Sequence, residues 1–268
     1  MAQNNQTVLI AKNLSDVFYH MGSVNALKIL GGCSWEKDIN EKCLSICSIK
    51  ELCSIEKKER YIDIGAGVKI RQLISFGEKF IPEVLYSALI SIGTPQVKNI
   101  GTIGGNICAE GHRLTLFGPL LSLDARLEFR NESETKYVPM SKFTEVPQGF
   151  LLTKIRVPYN EWDIQIFKRL GPSSTINTLS ATYTFLAEDQ NDILSNIRFS
   201  FAGAKSFRSF ELEDRLIGSR LPLSQKTINS IITSADEFFE EEKVDSTPNK
   251  IQKVQFLNLL KYSLSKLG

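Results

Sequence analysis

The period of apolar and polar positions changes several times along this chain, and each change predicts an element. A weak helical pattern over 14–27 leads to a short apolar strand over 27–30 that runs straight into Gly31 and Gly32. A second strand is expected over 43–48, a short helical stretch over 49–55, and an alternating strand over 61–64 that ends at Gly65, Ala66 and Gly67. Val68, Leu73, Ile74 and Phe80 fall roughly on one face of a helix over 68–80. Pro82 resets the chain before an apolar helix over 84–92. A buried helix is expected over 115–123, with Gly118 and Pro119 near its first turns, where proline is tolerated. Residues 125–130 then alternate Ala, Leu and Phe with Arg, Glu and Arg, the pattern of a half-buried strand, and a further strand over 150–157 is closed by Pro158.

From about Ile164 the strands lengthen. Residues 178–187 and 196–202, joined by a polar turn over 188–192, read as an antiparallel hairpin or meander. The tail is helical over 211–217, 224–239 and 253–267; in the last of these Phe256, Leu259, Leu260, Leu264 and Leu267 recur at helical spacing. The acidic run over 240–242 reads as a solvated face. Strands interleaved with short helices, then an antiparallel sheet followed by helices, make an α+β protein.

At 268 residues the chain can bury a substantial core and is expected to divide into two or three lobes. Its 32 lysines and arginines against 30 aspartates and glutamates leave a net charge of +2, which gives no basis for nucleic-acid binding or attraction to a membrane surface. No apolar run approaches bilayer length, and the first residues lack the pattern of an export signal, so a cytoplasmic protein is expected. The five cysteines then read as free thiols; Cys43, Cys47 and Cys53 match neither zinc nor iron–sulfur spacing and are read as structural. With only His20 and His112, and no nucleophile elbow, H-E-x-x-H or P-loop, metal hydrolases and P-loop NTPases are set aside.

The richest stretch is 96–125, QVKNIGTIGGNICAEGHRLTLFGPLLSLDA. Gly101, Gly104 and Gly105 let the backbone come close to a ligand, and Thr102 and Asn106 bring side-chain hydrogen bonds to the same turn. Such a turn is either a tight connection or a cofactor loop whose successive unpaired N–H groups cradle a diphosphate. Together with Gly31 and Gly32, it can clamp one extended dinucleotide from both sides.

The run V-K-N-I-G-T-I-G-G-N-I, followed by P-L-L-S-L-D-A at 119–125, resembles the flavin-binding subunit of the molybdenum hydroxylases, the xanthine dehydrogenase and carbon monoxide dehydrogenase family. D-I-G-A-G-V-K at 63–69, the strand over 151–158 and the region after Ile164 are similar to that family as well, so the likeness covers nearly the whole chain. The resemblance implies the vanillyl-alcohol-oxidase or PCMH type of FAD fold. Its first α/β lobe would span 1–60 and its second 61–162, followed by a flavoprotein C-terminal domain of antiparallel sheet and helices over 163–268. It implies FAD as cofactor, held by Ile29, Leu30, Gly31, Gly32, Cys33 and Ser34 in one turn and by Gly101, Thr102, Ile103, Gly104, Gly105 and Asn106 in the other.

Leu152 would lay backbone or side chain against the isoalloxazine. Lys168 would either stand near the pyrimidine edge, where a cation stabilises reduced flavin, or be a surface lysine. His112 and Arg113 are left between loop surface and contact with cofactor or partner, Trp35 between adenine and core, and the turn over 171–175 between lining the flavin's open face and an ordinary Ser-rich turn.

Two departures stand out. The family's first loop reads A-G-G-T-[DN]-L, whereas this chain has Leu30-Gly31-Gly32-Cys33-Ser34-Trp35, a change that keeps the backbone donors. Nine residues beyond Asn106, where the family has an aspartate directed at the flavin's sugar-like chain, this chain has Thr115, a loss on the order of 1 kcal/mol.

The implied role is an electron relay: a partner with molybdopterin oxidises the substrate, an iron–sulfur partner passes the electrons on, and FAD on this chain delivers them to NAD+ or another acceptor. The competing expectation is a non-catalytic homologue that keeps the fold and assembly surface but binds FAD weakly or not at all. A stand-alone flavin oxidase is weaker, because no added substrate domain and no histidine or cysteine for covalent flavin attachment is evident.

Overall fold

The computed structural model describes residues 8–25, 27–32, 42–172, 176–241 and 247–268. In chain order its elements are β1 (Val8–Ile10), α1 (Leu14–Ser23), β2 (Lys28–Leu30), β3 (Cys43–Ser45), β4 (Ile55–Lys57), β5 (Tyr61–Gly65), α2 (Ile70–Phe76), α3 (Glu83–Ser91), α4 (Pro95–Ile100) and α5 (Ile103–Ile107). There follow α6 (Phe117–Ser122), β6 (Arg126–Arg130), β7 (Thr135–Pro139), β8 (Leu151–Pro158), β9 (Ile164–Leu170), β10 (Ala181–Asp189), β11 (Leu194–Ala202), β12 (Ser206–Phe207), α7 (Phe210–Asp214), α8 (Gln225–Glu241) and α9 (Thr247–Leu264). The expected helix over 68–80 is shorter because Gly77 takes φ +112, a conformation that a helix cannot continue through. Among the described residues no helix is long and apolar enough to cross a membrane.

The fold is α+β, and its contacts form two compact units. The first comprises 1–81, 94–110 and 124–159, and the second 82–93, 111–123 and 160–268. The first unit holds two sheets. In the smaller, β3 lies between β1 and β2 and pairs with both in parallel, so Ile10, Leu30 and Ser45 mark one common carboxyl edge. Val17 of α1 packs with Leu44, Ile46, Ile49 and Leu52 into the core beneath this sheet. In the larger sheet, ordered β4-β5-β8-β6-β7, every pairing is antiparallel. Alternation puts Ile62, Ile64, Val157, Ile155, Leu127 and Phe129 on the buried face, all with no exposed surface, as expected for an antiparallel sheet with one face turned to the core.

The register between β6 and β8 shifts at Glu128/Phe129: Glu128 pairs with Lys154 and Phe129 with Leu152, so Thr153 is the extra residue of a bulge. Its hydroxyl is bonded to the Glu128 carboxylate at 2.8 Å.

The second unit is built on the sheet β12-β11-β10-β9. The expected hairpin is present, with Asn191 and Asp192 at φ +57 and +61 in its turn. Phe199, Phe201, Phe207, Phe239 and Phe256 pack ring against ring between the sheet and the long C-terminal helices, and the Tyr183 hydroxyl reaches Ser263 Oγ at 3.0 Å. Helix α6 lies on β10 and β11. Gly118 is required there, since a Cβ would come within 2.7 Å of Thr182 Oγ1, and the Gly118 carbonyl accepts from Ser200 Oγ at 2.8 Å. A buried ion pair, Arg208–Glu213 at 2.9 Å, ties α7 into this unit, with the Arg208 guanidinium also donating to the Leu121 carbonyl and the Phe199 N–H donating to the Glu213 carboxylate.

Candidate functional site

The candidate site lies in the first unit, at the carboxyl edge of the parallel sheet, the place where open α/β sheets receive ligands. Strand β2 ends at Leu30, whose carbonyl accepts from the Ile46 N–H at 3.1 Å. The next carbonyl, of Gly31, accepts from Thr102 Oγ1 at 2.8 Å across 71 residues of sequence. Gly32 then turns at φ +103, where a Cβ would stand 2.6 Å from the Ile100 carbonyl oxygen. The two glycine turns foreseen from the sequence are therefore bonded directly to each other.

The second turn differs from the loop expected. Thr102 is the N-cap of the short helix α5: its hydroxyl oxygen accepts from the Gly105 N–H at 3.0 Å, and its carbonyl accepts from the Asn106 N–H at 3.0 Å. The Ile103 N–H donates to the Val68 carbonyl at 3.0 Å and the Gly104 N–H to the Ala66 carbonyl at 2.9 Å. Each N–H over 103–106 is thus satisfied inside the chain. The expectation of successive unpaired N–H groups fails here, because the segment after Gly67 bonds to this turn as a strand would; Lys69 and Thr102 form an antiparallel bridge.

Gly104 is likewise a packing glycine, with Ala66 O only 2.7 Å from where a Cβ would stand. Gly101, Thr102, Ile103, Gly104 and Asn106 are all buried, while Gly105 is half-buried and Ile29, Leu30, Gly31 and Gly32 keep partial exposure. The accessible part of the site is therefore main chain around Gly31 and Gly32. Gly31 and Gly32 bring no side chains of their own, so among the described residues this backbone fits a ligand that approaches closely, such as an extended dinucleotide.

Leu152 joins the same framework. The Ala66 N–H donates to the Thr153 carbonyl at 2.9 Å, so two hydrogen bonds run from Gly104 through Ala66 to the β8 bulge beside Leu152. The Leu152 side chain is 4% exposed. Ala66 and Ile46, which hold the turns together, were not singled out from sequence; the GAG at 65–67, directly after a strand, was the available signal for Ala66.

Cys33, Ser34 and Trp35 lie outside the described residues. Thr115, buried at 5%, and Lys168, exposed on β9, belong to the second unit. There too, His112 Nε2 donates to the Ser180 carbonyl at 2.7 Å, and burial pushes its pKa below the usual imidazole value. The Arg113 guanidinium covers the Phe117 ring at 4.5 Å.

The cysteines correct one expectation. Cys43 is buried, but Cys47 and Cys53 are exposed at the edge of the site: Cys47 Sγ lies 3.6 Å from the Leu30 carbonyl and Cys53 Sγ 3.7 Å from the Gly67 carbonyl. Desolvation raises the Cys53 pKa, with nearby Lys69 acting against it. Spacing alone does not reveal that these thiols stay on the surface.

Residues 5–160 match the model of the FAD binding domain in molybdopterin dehydrogenase. The chain belongs to that family. Among its relatives, the glyceraldehyde dehydrogenase medium chain of Sulfolobus acidocaldarius is 26% identical over 66% of this chain and 66% of its own length. The xanthine dehydrogenase FAD-binding subunit of Escherichia coli O157:H7 is 30% identical over 48% of this chain and 42% of its own length. The matched stretches thus cover less than two thirds of these relatives. In fold, carbon monoxide dehydrogenase from Hydrogenophaga pseudoflava matches 98% of this chain and 97% of its own with a TM-score of 0.84 at 20% identity. Quinoline 2-oxidoreductase from Pseudomonas putida 86 matches 98% of both chains with a TM-score of 0.78 at 16% identity.

Proposed function

We propose that this chain is the FAD-binding electron-transfer subunit of a molybdenum hydroxylase, taking electrons from a partner's iron–sulfur clusters and delivering them to NAD+ or another acceptor. The observation that carries the reading is the bonded pair of glycine turns at the carboxyl edge of a parallel sheet, in a chain of an FAD-binding family. Gly31 and Gly32 would meet the dinucleotide through their main chain, with Ile29, Leu30 and Gly105 beside them. Thr102, Gly104 and Asn106 would act from beneath, by fixing the position of the turns. Leu152, Thr115 and Lys168 are the further positions that the family likeness assigns to the flavin. Bound FAD would supply the ability to accept electrons singly and release them as a pair. The protein's own contribution is to position the cofactor and to tune it electrostatically, Lys168 by its positive charge.

The visible absorbance of the purified chain, before and after addition of FAD, tests this. Flavin bands that stay with the protein through gel filtration are expected. Their absence at saturating FAD, both for the chain alone and with its partner subunits, would overturn the reading in favour of a homologue that keeps the fold without the cofactor.

A further inference from the structure

The outer face of the five-stranded sheet carries an arrangement that folding alone does not explain. Alternation brings Asp63 of β5, Arg156 of β8 and Arg126 of β6 into one row across the strands, and Lys154, Glu128 and Tyr137 into the next. Solvent faces of antiparallel sheets are ordinarily polar, so polarity is not the point. What stands out is that Arg126 and Arg156 are direct cross-strand partners, a placement in which like charges destabilise the pair.

Asp63 offsets that repulsion only in part. It is buried at 4%, accepts from Arg156 Nε at 2.8 Å and from a second guanidinium nitrogen at 2.9 Å, and stands 3.9 Å from Lys154 Nζ, so one negative charge is shared by two cations while Arg126 adds a third. The Arg156 guanidinium also lies 3.9 Å from the centre of the Tyr61 ring, which holds it in place, while only two of its five N–H groups are used on Asp63. Among the described residues, neither Arg126 nor Arg60 has a carboxylate within ion-pair distance. Two open cavities, of about 250 and 730 Å³, share Arg126 and Arg156 as lining; Lys154, Glu128 and Tyr137, the last 65% exposed, complete the first, and Arg60 and Asp124 are among the residues of the second, so cations outnumber carboxylates in both.

We propose that this face is a docking surface for an acidic segment of a protein partner, whose carboxylates sit between Arg126 and Arg156. Charge complementarity selects the occupant: a carboxylate placed there removes the arginine–arginine repulsion and meets a guanidinium that is already ordered. The form of the site favours a protein segment over a small anion. The lined face runs from β5 to β7, three inter-strand steps or about 14 Å, which an extended segment of four or five residues spans. Arginine and tyrosine are also the residue types that carry most of the energy at protein interfaces. The surface is independent of the flavin reading, since it uses none of the residues assigned to FAD.

A fluorescein-labelled hexaglutamate peptide, titrated against the full chain and followed by fluorescence anisotropy, tests the proposal. Binding at low salt is expected, weakening severalfold as ionic strength rises to about 0.15 M. Arg126→Glu should reduce affinity by about tenfold or more, because it juxtaposes like charges. Arg126→Gln, which removes the positive charge without reversing it, should reduce it by a smaller factor, and Lys226→Glu on α8 of the other unit should change it by less than about twofold. FAD titration and far-UV circular dichroism of the Arg126 variants should match the parent chain. Unchanged binding in both Arg126 variants, equal loss in Lys226→Glu, no peptide binding at low salt, or complete displacement of the peptide by inorganic phosphate at constant ionic strength would each overturn it.

Discussion

Thr102 Oγ1 donates to the Gly31 carbonyl at 2.8 Å and accepts from the Gly105 N–H at 3.0 Å, so one hydroxyl both joins the two glycine turns and caps α5. Valine at this position keeps the shape but loses both bonds, whereas serine keeps both. Loss of a capping hydroxyl costs about 0.5–2 kcal/mol, and the freed Gly31 carbonyl adds to that. Thr102→Val is expected to lower unfolding stability by about 2 kcal/mol and weaken FAD binding, with Thr102→Ser close to the parent chain in both. Urea denaturation and a flavin titration measure the two effects. If Thr102→Val bound FAD as the parent does, the bond between the turns would have no part in cofactor retention.

The glycines of the site separate into two kinds. A Cβ on Gly104 would stand 2.7 Å from Ala66 O, and on Gly32 2.6 Å from Ile100 O with the added strain of φ +103, so both are needed by the chain itself. At Gly31 the nearest atom to such a Cβ is Ile46 Cδ1 at 3.7 Å, an ordinary contact. Gly104→Ala and Gly32→Ala are therefore expected to lose about 1–3 kcal/mol of stability as neighbouring backbone is forced aside. Gly31→Ala should leave stability within about 0.5 kcal/mol and act on FAD affinity alone. Paired unfolding and binding curves separate these outcomes; a large stability loss in Gly31→Ala would contradict the assignment.

Much of this was legible in the sequence because it rests on local pattern. Apolar alternation marked β5, β6 and β8, and the paired glycines marked both turns before any contact between them was known. The destination of the Ile103 and Gly104 N–H groups was hidden, since it depends on Val68 and Ala66, more than thirty residues earlier, returning to bond with them. Short elements were hidden for a different reason: β1, β4 and β12 have two or three residues each, too few for a period to show, and β7, with the sequence TKYVP, shows only one half-buried residue. The exposure of Cys47 and Cys53 was also beyond spacing, because it follows from where Leu30 and Gly67 place the intervening turn.

Thiol chemistry gives a map of the site's edge. Cys47 and Cys53 are exposed, Cys43 is buried, and burial pushes the Cys108 thiol up to about 12. Since the thiolate is the reacting species, iodoacetamide at pH 8 is expected, among the described cysteines, to label Cys47 first and Cys53 more slowly, the latter held back by its raised pKa, and to leave Cys43 and Cys108 unmodified until the chain is unfolded. Peptide mass spectrometry of timed samples gives the order. Saturating FAD should slow labelling of Cys47, whose sulfur lies against the first glycine turn; equal rates with and without FAD would separate that thiol from the cofactor site.

His112 supplies a pH dependence whose sign can be worked out. Its Nε2 donates to the Ser180 carbonyl, which favours the charged ring, but desolvation is the larger effect and lowers its pKa below the ordinary 6.5. In the unfolded chain the imidazole takes up its proton as pH falls through about 6.5, whereas in the folded chain it does so only at lower pH. Over that interval the unfolded state binds more protons, so acidification destabilises the fold, and the penalty is complete once pH is below the folded pKa. His112→Gln can keep a donor toward Ser180 without titrating. Urea unfolding between pH 7.5 and 4.5, intervals chosen to bracket about 6.5, is expected to show a smaller loss of stability for His112→Gln than for the parent chain below that point, and parallel curves above it. Parallel curves across the whole range would mean that His112 keeps its ordinary affinity for protons in the folded protein.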